Sequence, residues 1–417
     1  MKLEQIKNQT AFFSLTKKEQ EFIKNISSEL GLTFQETRQL VDIALDVDMW
    51  DEGTIEKLWP SDPNVRLSSR ARKEYFLSEI QKKYVELKSS LKDYSSFNPG
   101  EVVQGNVNFV PAPAGSKILG LCPVAGEKTR CCNLLTMDVV LGCAFDCSYC
   151  TIQSYYHDNA IMVERNLKEK LFALKLDPNE IYHIGTGQSS DSLLWGNRDG
   201  ILEKLFEFAT ENANVILELK TKSDNVEEFL NLSPPRNVIA TWTLNTPTVI
   251  KNEERLTSSL NERINAARKV ADNGTLVGFH FHPMVWYRGW EEEYEKVAGL
   301  VMENFDPKEV AMVSFGTLTY IKPVIRKLRK RRIKSKSLQM PFEDAHGKLS
   351  YPKDIKISLF KKAYQNFSSW HGRVFFYLCM EAIDIWNPVF GFEFQDNDEF
   401  ERMMKLKYME KIKGLSS

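Results

Sequence analysis

Gly142-Cys143-Ala144-Phe145-Asp146-Cys147-Ser148-Tyr149-Cys150 places three thiols at the spacing C-x3-C-x2-C. Three thiolates this close along a chain suit three irons of a [4Fe–4S] cluster, whose usual protein ligand is cysteine. No fourth Cys follows at ferredoxin-like spacing, so one iron is left open to bind and activate a small molecule. A zinc site would need a fourth Cys or His, and His157 stands seven residues on. Disulfides are disfavoured, because the chain has an odd number of cysteines, 7, and no secretory signal.

Outward from this run the cadence is strand then helix. Leu134–Val140 is a short apolar run that ends at the cysteine loop. Strands are expected at Ile181–Thr186, Val215–Leu219, Val238–Leu244, Leu276–Phe281 and Val310–Phe315. Between them, helices are expected from Ile161/Leu167/Leu171/Leu174, Ile201–Phe208, Val226–Leu230, the face Leu256/Leu260/Ile264/Ala267/Ala271, and Tyr294–Val301. Strand–helix units of this length imply an α/β fold with parallel strands and right-handed crossovers. Such sheets bind ligands at the carboxyl ends of their strands, which is where the cysteine loop falls.

Residues 1–95 read as a helical, polar region, with Leu40, Ile43, Ala44 and Val47 on one face of Gln35–Val47 and a charged helix over Val65–Leu91. Residues 96–133, broken at Phe97-Asn-Pro-Gly100 and Pro111-Ala-Pro-Ala-Gly115, read as a linker and irregular lead-in. Residues 134–320 form the strand–helix core. Residues 321–417 read as a basic segment followed by a small α+β region, with a helix at Ile355–Phe367 and a strand at Val374–Leu378. A hydrophobic share of 42% supports a substantial core, and a net charge of −1 names no partner. The stretch MKLEQIKNQTAFFSLTKKEQ lacks an apolar signal core, and nothing reaches bilayer-spanning length, so a cytoplasmic protein with no membrane partner is expected.

The three-cysteine run, with Tyr149 just before its last Cys, resembles the radical S-adenosylmethionine superfamily. The resemblance implies a partial (β/α)6 barrel, a [4Fe–4S] cluster on Cys143, Cys147 and Cys150, and S-adenosylmethionine on the open iron, cleaved to a 5′-deoxyadenosyl radical. Further stretches resemble the spore photoproduct lyase family, radical lyases that revert a methylene-bridged thymine dimer in DNA. They are Ile184-Gly-Thr-Gly-Gln-Ser-Ser-Asp191, Leu219-Lys-Thr-Lys222-Ser, Thr241-Trp-Thr-Leu-Asn245, Arg263-Ile-Asn-Ala-Ala-Arg-Lys-Val270 and Val277-Gly-Phe-His-Phe-His-Pro283 followed by Arg288-Gly-Trp290. On this resemblance Ser189, Lys222, Thr243 and Asn245 line the S-adenosylmethionine pocket, with Lys222 suited to its carboxylate. Gly185 and Gly187 let the backbone approach the cofactor. A protein electron donor such as a flavodoxin or ferredoxin is implied.

One departure stands out. The family's hydrogen-donating Cys after the second strand aligns with Gln188, whose amide N–H is far too strong a bond for that task. Candidate donors are Cys131, Cys132, Tyr149 and Tyr155, with Cys122 fainter; Cys379, in an apolar run, reads as a core thiol. For DNA, the run Lys322–Lys336 carries nine Lys or Arg and no acid, including Arg326, Arg329, Arg331 and Arg332. Its alternative is a solvated helix face. His280 and His282 alternate on one strand and point one way, toward substrate or toward the helices; as a zinc pair they lack partners. Arg288 and the aromatics Trp286, Tyr287, Trp290 and Tyr320 are candidates for lesion contact or for packing. Two other readings stay open: a radical enzyme on this scaffold with another nucleic-acid or small-molecule substrate, and a non-enzymatic DNA-binding protein with a structural cluster.

Overall fold

The computed structural model describes residues 11–63, 67–102, 105–122, 129–152, 160–345 and 347–415. The chain divides into two compact units. One comprises Met1–Glu101, Trp286–Arg288 and Thr319–Tyr351; the other comprises Val102–Val285, Gly289–Leu318 and Pro352–Ser417.

The first unit is built on the helices Lys17–Glu29, Phe34–Met49 and Ser69–Ser89. Thr16 with Glu19, and Thr33 with Glu36, close capping boxes that satisfy the first amides of two of these helices, each worth about 1 kcal/mol. The expected apolar face is the core: Leu40, Ile43, Ala44 and Val47 are buried with Ile23, Ile55 and Ile80. The segment that sequence grouped with the C-terminal region, 321–351, packs here instead. Its helix Lys322–Arg331 buries Val324 and Leu328.

This changes the meaning of the basic run. Arg329 sets Nε and Nη2 each 2.6 Å from the two carboxylate oxygens of Asp46, which also accepts from the Tyr84 hydroxyl at 2.6 Å. Lys334 pairs with Asp48 at 3.0 Å and Lys336 with Glu52 at 2.7 Å. Three of its cations therefore neutralise acids of the helical unit. Lys322, Arg326, Lys327, Lys330 and Arg332 remain at the surface.

The second unit carries an eight-stranded sheet whose spatial order follows the chain. Its strands are β1 (Leu119–Leu121), β2 (Leu135–Met137), β3 (Tyr182–Thr186), β4 (Val215–Thr221), β5 (Val238–Thr243), β6 (Leu276–Met284), β7 (Val310–Thr317) and β8 (Phe375–Leu378). From β2 to β8 all pairings are parallel; only β1 on β2 is antiparallel. The sheet curls into a partial barrel, as the family resemblance implied, with eight strands where a (β/α)6 arrangement was expected. Apolar side chains of one face meet the helices, with Phe279 against Phe305 and Phe281 against Phe367.

The departures from expectation have local causes. Val374–Leu378 does not found a separate region. Its apolar Phe375–Leu378 stretch pairs with Met312–Phe315 and extends the sheet. Ile161 is not helical: Ala160–Val163 is a strand between Asn108–Pro111 and Val140–Leu141, and the helix begins at Leu167. Leu256 has a positive φ of 62° and precedes its helix, which Ser259 and Glu262 cap from Leu260. Among the described residues no helix is long and apolar enough to cross a membrane.

Asp46→Ala should lower folding stability by about 3 kcal/mol, because it removes the acceptor of the Tyr84 hydroxyl and leaves Arg329 with Asp42 at 3.8 Å in place of a bidentate partner. Urea titration checks this; an unchanged midpoint would mean that the pair contributes nothing.

Candidate active site

Beyond β2 the chain reaches the cysteine loop through Gly142, whose φ of 95° suits glycine and whose added Cβ would come 3.0 Å from the Ala160 carbonyl. Gly142 is held from two sides. Its N–H donates to Ser189 O at 2.9 Å, and its carbonyl accepts from Ser190 Oγ at 2.6 Å. Farther along, Asp146–Cys147 pairs antiparallel with Glu254–Arg255, and Ser148 N–H donates to Glu253 O at 2.8 Å. The loop is thus stitched to the chain that follows β5. Burial pushes the Cys147 thiol up to about 12 and the Cys143 thiol well up, so these sulfurs ionise at neutral pH only when metal replaces the proton. The donor set fits a cluster: three soft sulfurs on one short, anchored loop. Among the described residues no group of three or more His, Cys, Asp or Glu side chains is placed to hold one metal ion. The thiolates of an iron–sulfur cluster bind separate irons and need no such convergence.

Beneath the loop lies a buried charge network centred on Glu254. Its carboxylate meets Arg263 at 2.7 Å and Lys222 at 3.4 Å, accepts from Asn245 Nδ2 at 3.2 Å and from the Tyr149 hydroxyl. Burial alone would raise its pKa, but Lys222 and Arg263 hold it down to about 2. Lys222 is a donor to Tyr149 Oη at 2.6 Å and stands 3.9 Å from Cys147 Sγ. Burial disfavours its charge, yet Cys147 and Glu254 together raise its pKa. Asn245 is fully engaged, also donating to Pro283 O at 2.9 Å and accepting from Tyr294 at 2.8 Å.

The ends of β3 and β4 are tied by Asp191. It accepts from Thr221 Oγ1 and from the Lys222 backbone N–H, each at 2.7 Å, and from the Leu193 and Leu194 amides. Gly187, at φ 90°, leaves no room for a side chain: a Cβ would fall 2.6 Å from Lys220 O and 2.7 Å from Ser192 Oγ. Ser189 Oγ donates to Asp138, and the Thr243 carbonyl accepts from Arg263 at 2.8 Å. The expected cofactor residues Gly187, Ser189, Lys222, Thr243 and Asn245 therefore converge on the cysteine loop through Asp191 and Glu254. Gly185 lies under Gln188, whose amide atoms would stand 3.2 and 3.4 Å from an added Cβ.

Below this layer the same face of the sheet is polar. Glu218 bridges His183 and His280, each ring Nε2 at 2.8 Å, and Thr241 donates to it at 2.9 Å. Ser314 bonds His280 Nδ1 at 2.6 Å and His282 Nε2 at 3.1 Å. Burial opposes the Glu218 charge, but the hydrogen bonds from His183 and His280 outweigh it and hold the pKa well below the carboxylate range. Burial, then Lys220, pull His280 down to about 4 and His282 well down. Burial also lowers Lys220. Both expected histidines thus face this interior, with His280 committed to Glu218.

Other expected residues disperse. Tyr287 is 1% exposed and edge-packed on Tyr94, so both its environment and its neighbour are those of a core ring. Trp290 and Tyr320 are likewise buried, at 5% and 1%. Arg288 is exposed and 3.3 Å from Asp93. Arg326 and Arg332 are exposed, Arg331 is half-buried, and Arg329 is bound to Asp46. Of the donor candidates, Tyr149 is locked between Glu254 and Lys222, Cys131 is buried with its N–H on Asn397 Oδ1 at 3.0 Å, and Cys132 is half-buried. Tyr155 and His157 lie outside the described residues. Cys379, expected in the core, is half-buried, with Lys220 among its electrostatic neighbours. Sequence reasoning missed Glu254, Asp191 and Glu218. An acid inside the otherwise apolar Val215–Leu219 was a signal for the last, because a buried carboxylate needs partners. Glu254 carried none.

Residues 126–364 match the family model for spore photoproduct lyase. The spore photoproduct lyase of Clostridium acetobutylicum is 28% identical over 180 residues, 42% of this chain and 53% of that protein. That of Bacillus subtilis is 28% identical over 237 residues, 52% of this chain and 68% of that protein. The chain spans between about half and two thirds of the length of these relatives. A solved spore photoproduct lyase complexed with dinucleoside spore photoproduct has a TM-score of 0.54 at 20% identity, covering 65% of this chain and 81% of that one. A cysteine-to-serine variant of the lyase has a TM-score of 0.53 at 18% identity, covering 72% and 93%. These likenesses show a common fold.

Two substitutions probe the geometry. Gly187→Ala should cost about 1–3 kcal/mol more than Gly274→Ala, since both have positive φ but a Cβ meets nothing within 4 Å at Gly274; paired denaturation curves decide. The second concerns pH. Native His280 takes a proton only near pH 4, whereas an unfolded histidine takes it near about 6.5. Stability is therefore full above that value and falls as pH drops toward 4, by up to about 1.4 kcal/mol per unit. His280→Gln should flatten this slope between neutral pH and about 4.5; an unaltered slope would place the titration elsewhere.

Proposed function

The chain belongs to the spore photoproduct lyase family, and on that premise we propose that it is a radical S-adenosylmethionine lyase that reverts a methylene-bridged thymine dimer in DNA. The carrying observation is the network joining Cys147, Tyr149, Lys222, Asn245, Glu254 and Arg263 directly beneath the three-cysteine loop. Cys143, Cys147 and Cys150 would hold a [4Fe–4S] cluster, and S-adenosylmethionine would bind beside it. When bound, this pair supplies the 5′-deoxyadenosyl radical that starts bond cleavage in the lesion.

The remaining work falls to the chain's own side chains. Lys222 keeps its positive charge despite burial and would receive the carboxylate of S-adenosylmethionine. Glu254 fixes where that ammonium points and keeps Tyr149 against it. Gly187 and Gly185 open the backbone at the end of β3, and Ser189 offers a hydroxyl there. The curled sheet encloses the reacting centre and limits access of water and stray hydrogen donors. The surface cations Lys322, Arg326, Lys327, Lys330 and Arg332 would add phosphate contacts whose strength falls with salt. The electron would come from a flavodoxin or ferredoxin, in the cytoplasm, where thiols stay reduced. The competing reading, a structural cluster in a DNA-binding protein, gives no account of a lysine held charged 3.9 Å from a cluster thiol.

Anaerobically reconstituted protein with dithionite, S-adenosylmethionine and a synthetic methylene-bridged thymine dinucleotide should yield 5′-deoxyadenosine and repaired thymine dinucleotide. Cys147→Ala should abolish both, and Lys222→Ala should weaken S-adenosylmethionine binding about tenfold or more. Deoxyadenosine without repair would reject this lesion as substrate. Neither product from cluster-loaded protein would reject the enzyme.

A further inference from the structure

A thiol that sequence assigned to the core stands at the carboxyl end of the sheet. Phe315 pairs in register with Leu378, and Ser314 with both His280 and Tyr377. One residue on, Cys379 N–H donates to Phe315 O at 2.8 Å, which carries the ladder past β8. Side chains alternate along a strand, so Cys379 continues the face that bears Tyr377, Ser314 and His280. Its neighbour in that row is Gly316, whose missing side chain leaves the His282 ring 3.1 Å from where a Cβ would stand. On this face Lys220, between Glu218 and Lys222, is an electrostatic neighbour of Cys379. The thiol thus lies on the barrel's inner face, beyond the end of its strand, on the side where parallel sheets collect their ligands.

Reversal of the lesion ends in a carbon radical that needs one hydrogen atom, and Gln188 has none to give. We propose that Cys379 is the catalytic residue that donates this hydrogen atom. The assignment rests on the lesion-reversing reading above. In the step, the Cys379 S–H bond breaks homolytically and a C–H bond forms on the product, leaving a thiyl radical. One electron from the external one-electron reductant that also serves the cluster, and one proton from solvent, restore the thiol.

Three properties suit Cys379 to this step. It is half-buried rather than sealed, and it is in no disulfide. Burial pushes its pKa up to about 12 even with Lys220 opposing, so it carries its hydrogen at neutral pH. Cys131 and Cys132 belong to the same group of thiols, since Cys379 is an electrostatic neighbour of Cys132 and Cys131 of Cys379. Cys132 is hydrogen-bonded to Cys131, whereas Cys379 is set apart by its place past the end of β8, on the row of Ser314 and His280.

The test runs the reaction in D2O with wild type, Cys379→Ala and Cys379→Ser, following 5′-deoxyadenosine, repaired dinucleotide and its deuterium content. Wild type should place one solvent deuterium in each repaired product. Both variants should still form deoxyadenosine while repair falls about tenfold or more, an uncoupling that a packing defect does not produce. Serine is the stringent case, since it keeps the volume but its O–H bond is too strong to give up hydrogen. Repair and deuterium equal to wild type in both variants would overturn the proposal. So would loss of deoxyadenosine in both, which marks a structural residue, or uncoupling by Cys131→Ala or Cys132→Ala alone. Wild type that forms deoxyadenosine yet repairs nothing would instead remove the substrate reading, and the donor with it.

Discussion

The Glu254 carboxylate is the contact on which the site depends. It is wholly enclosed, and a lone buried carboxylate would cost several kcal/mol. Arg263, Lys222, Asn245 and Tyr149 offset that cost, and each comes from a different segment: the helix after β5, the end of β4, the end of β5 and the cysteine loop. The strand pair Asp146–Cys147 with Glu254–Arg255 brings the loop to this carboxylate. Removing any one partner leaves charge or a donor unmatched, so loop, strand ends and helix are held in a single arrangement. Fixed position is what this network supplies, and reacting atoms must meet in a fixed geometry.

The inner face of the sheet is layered accordingly. Glu218, His183, His280, Thr241 and Ser314 form a mutually satisfied network below. Burial pulls His280 down to about 4, so at neutral pH that ring meets the carboxylate as a neutral hydrogen-bonding partner. Above it, Lys220 loses much of its preference for charge through burial, while Lys222, one pleat on, keeps its own because Cys147 and Glu254 adjoin it. Two lysines with the same spacing on the same strand thus differ in electrostatic character by virtue of their neighbours alone.

The periodic elements were legible from the sequence. The strands from Ile181 to Phe315 lie within a few residues of the expected bounds, because parallel strands buried on both faces read as nearly continuous apolar runs. The cysteine loop, Lys222 and Asn245 were singled out as motifs, and the structure sets them side by side. What escaped depended on contacts between distant segments. Val374–Leu378 reads as an isolated strand, and only pairing with Val310–Thr317 makes it part of the main sheet. Glu254 follows a second acid and sits in no periodic pattern. Cys379 stands in an apolar run, and only its place past the end of β8 brings it to Lys220.

The basic run illustrates why composition alone cannot assign charge a task. Fifteen residues with nine cations and no acid read as a phosphate track. Asp46, Asp48 and Glu52, nearly three hundred positions earlier, turn Arg329, Lys334 and Lys336 into internal ties. Arg329 is the decisive case. Its planar fork lies bidentate on a carboxylate that also binds Tyr84, a geometry that a lysine would not reproduce and that leaves little of the guanidinium for a phosphate. The exposed remainder of that helix is Lys322, Arg326, Lys327 and Lys330, with Arg332 just after it. One inward cation, Arg329, lies on the helix among outward ones, and the other two ties, Lys334 and Lys336, follow after the helix has ended.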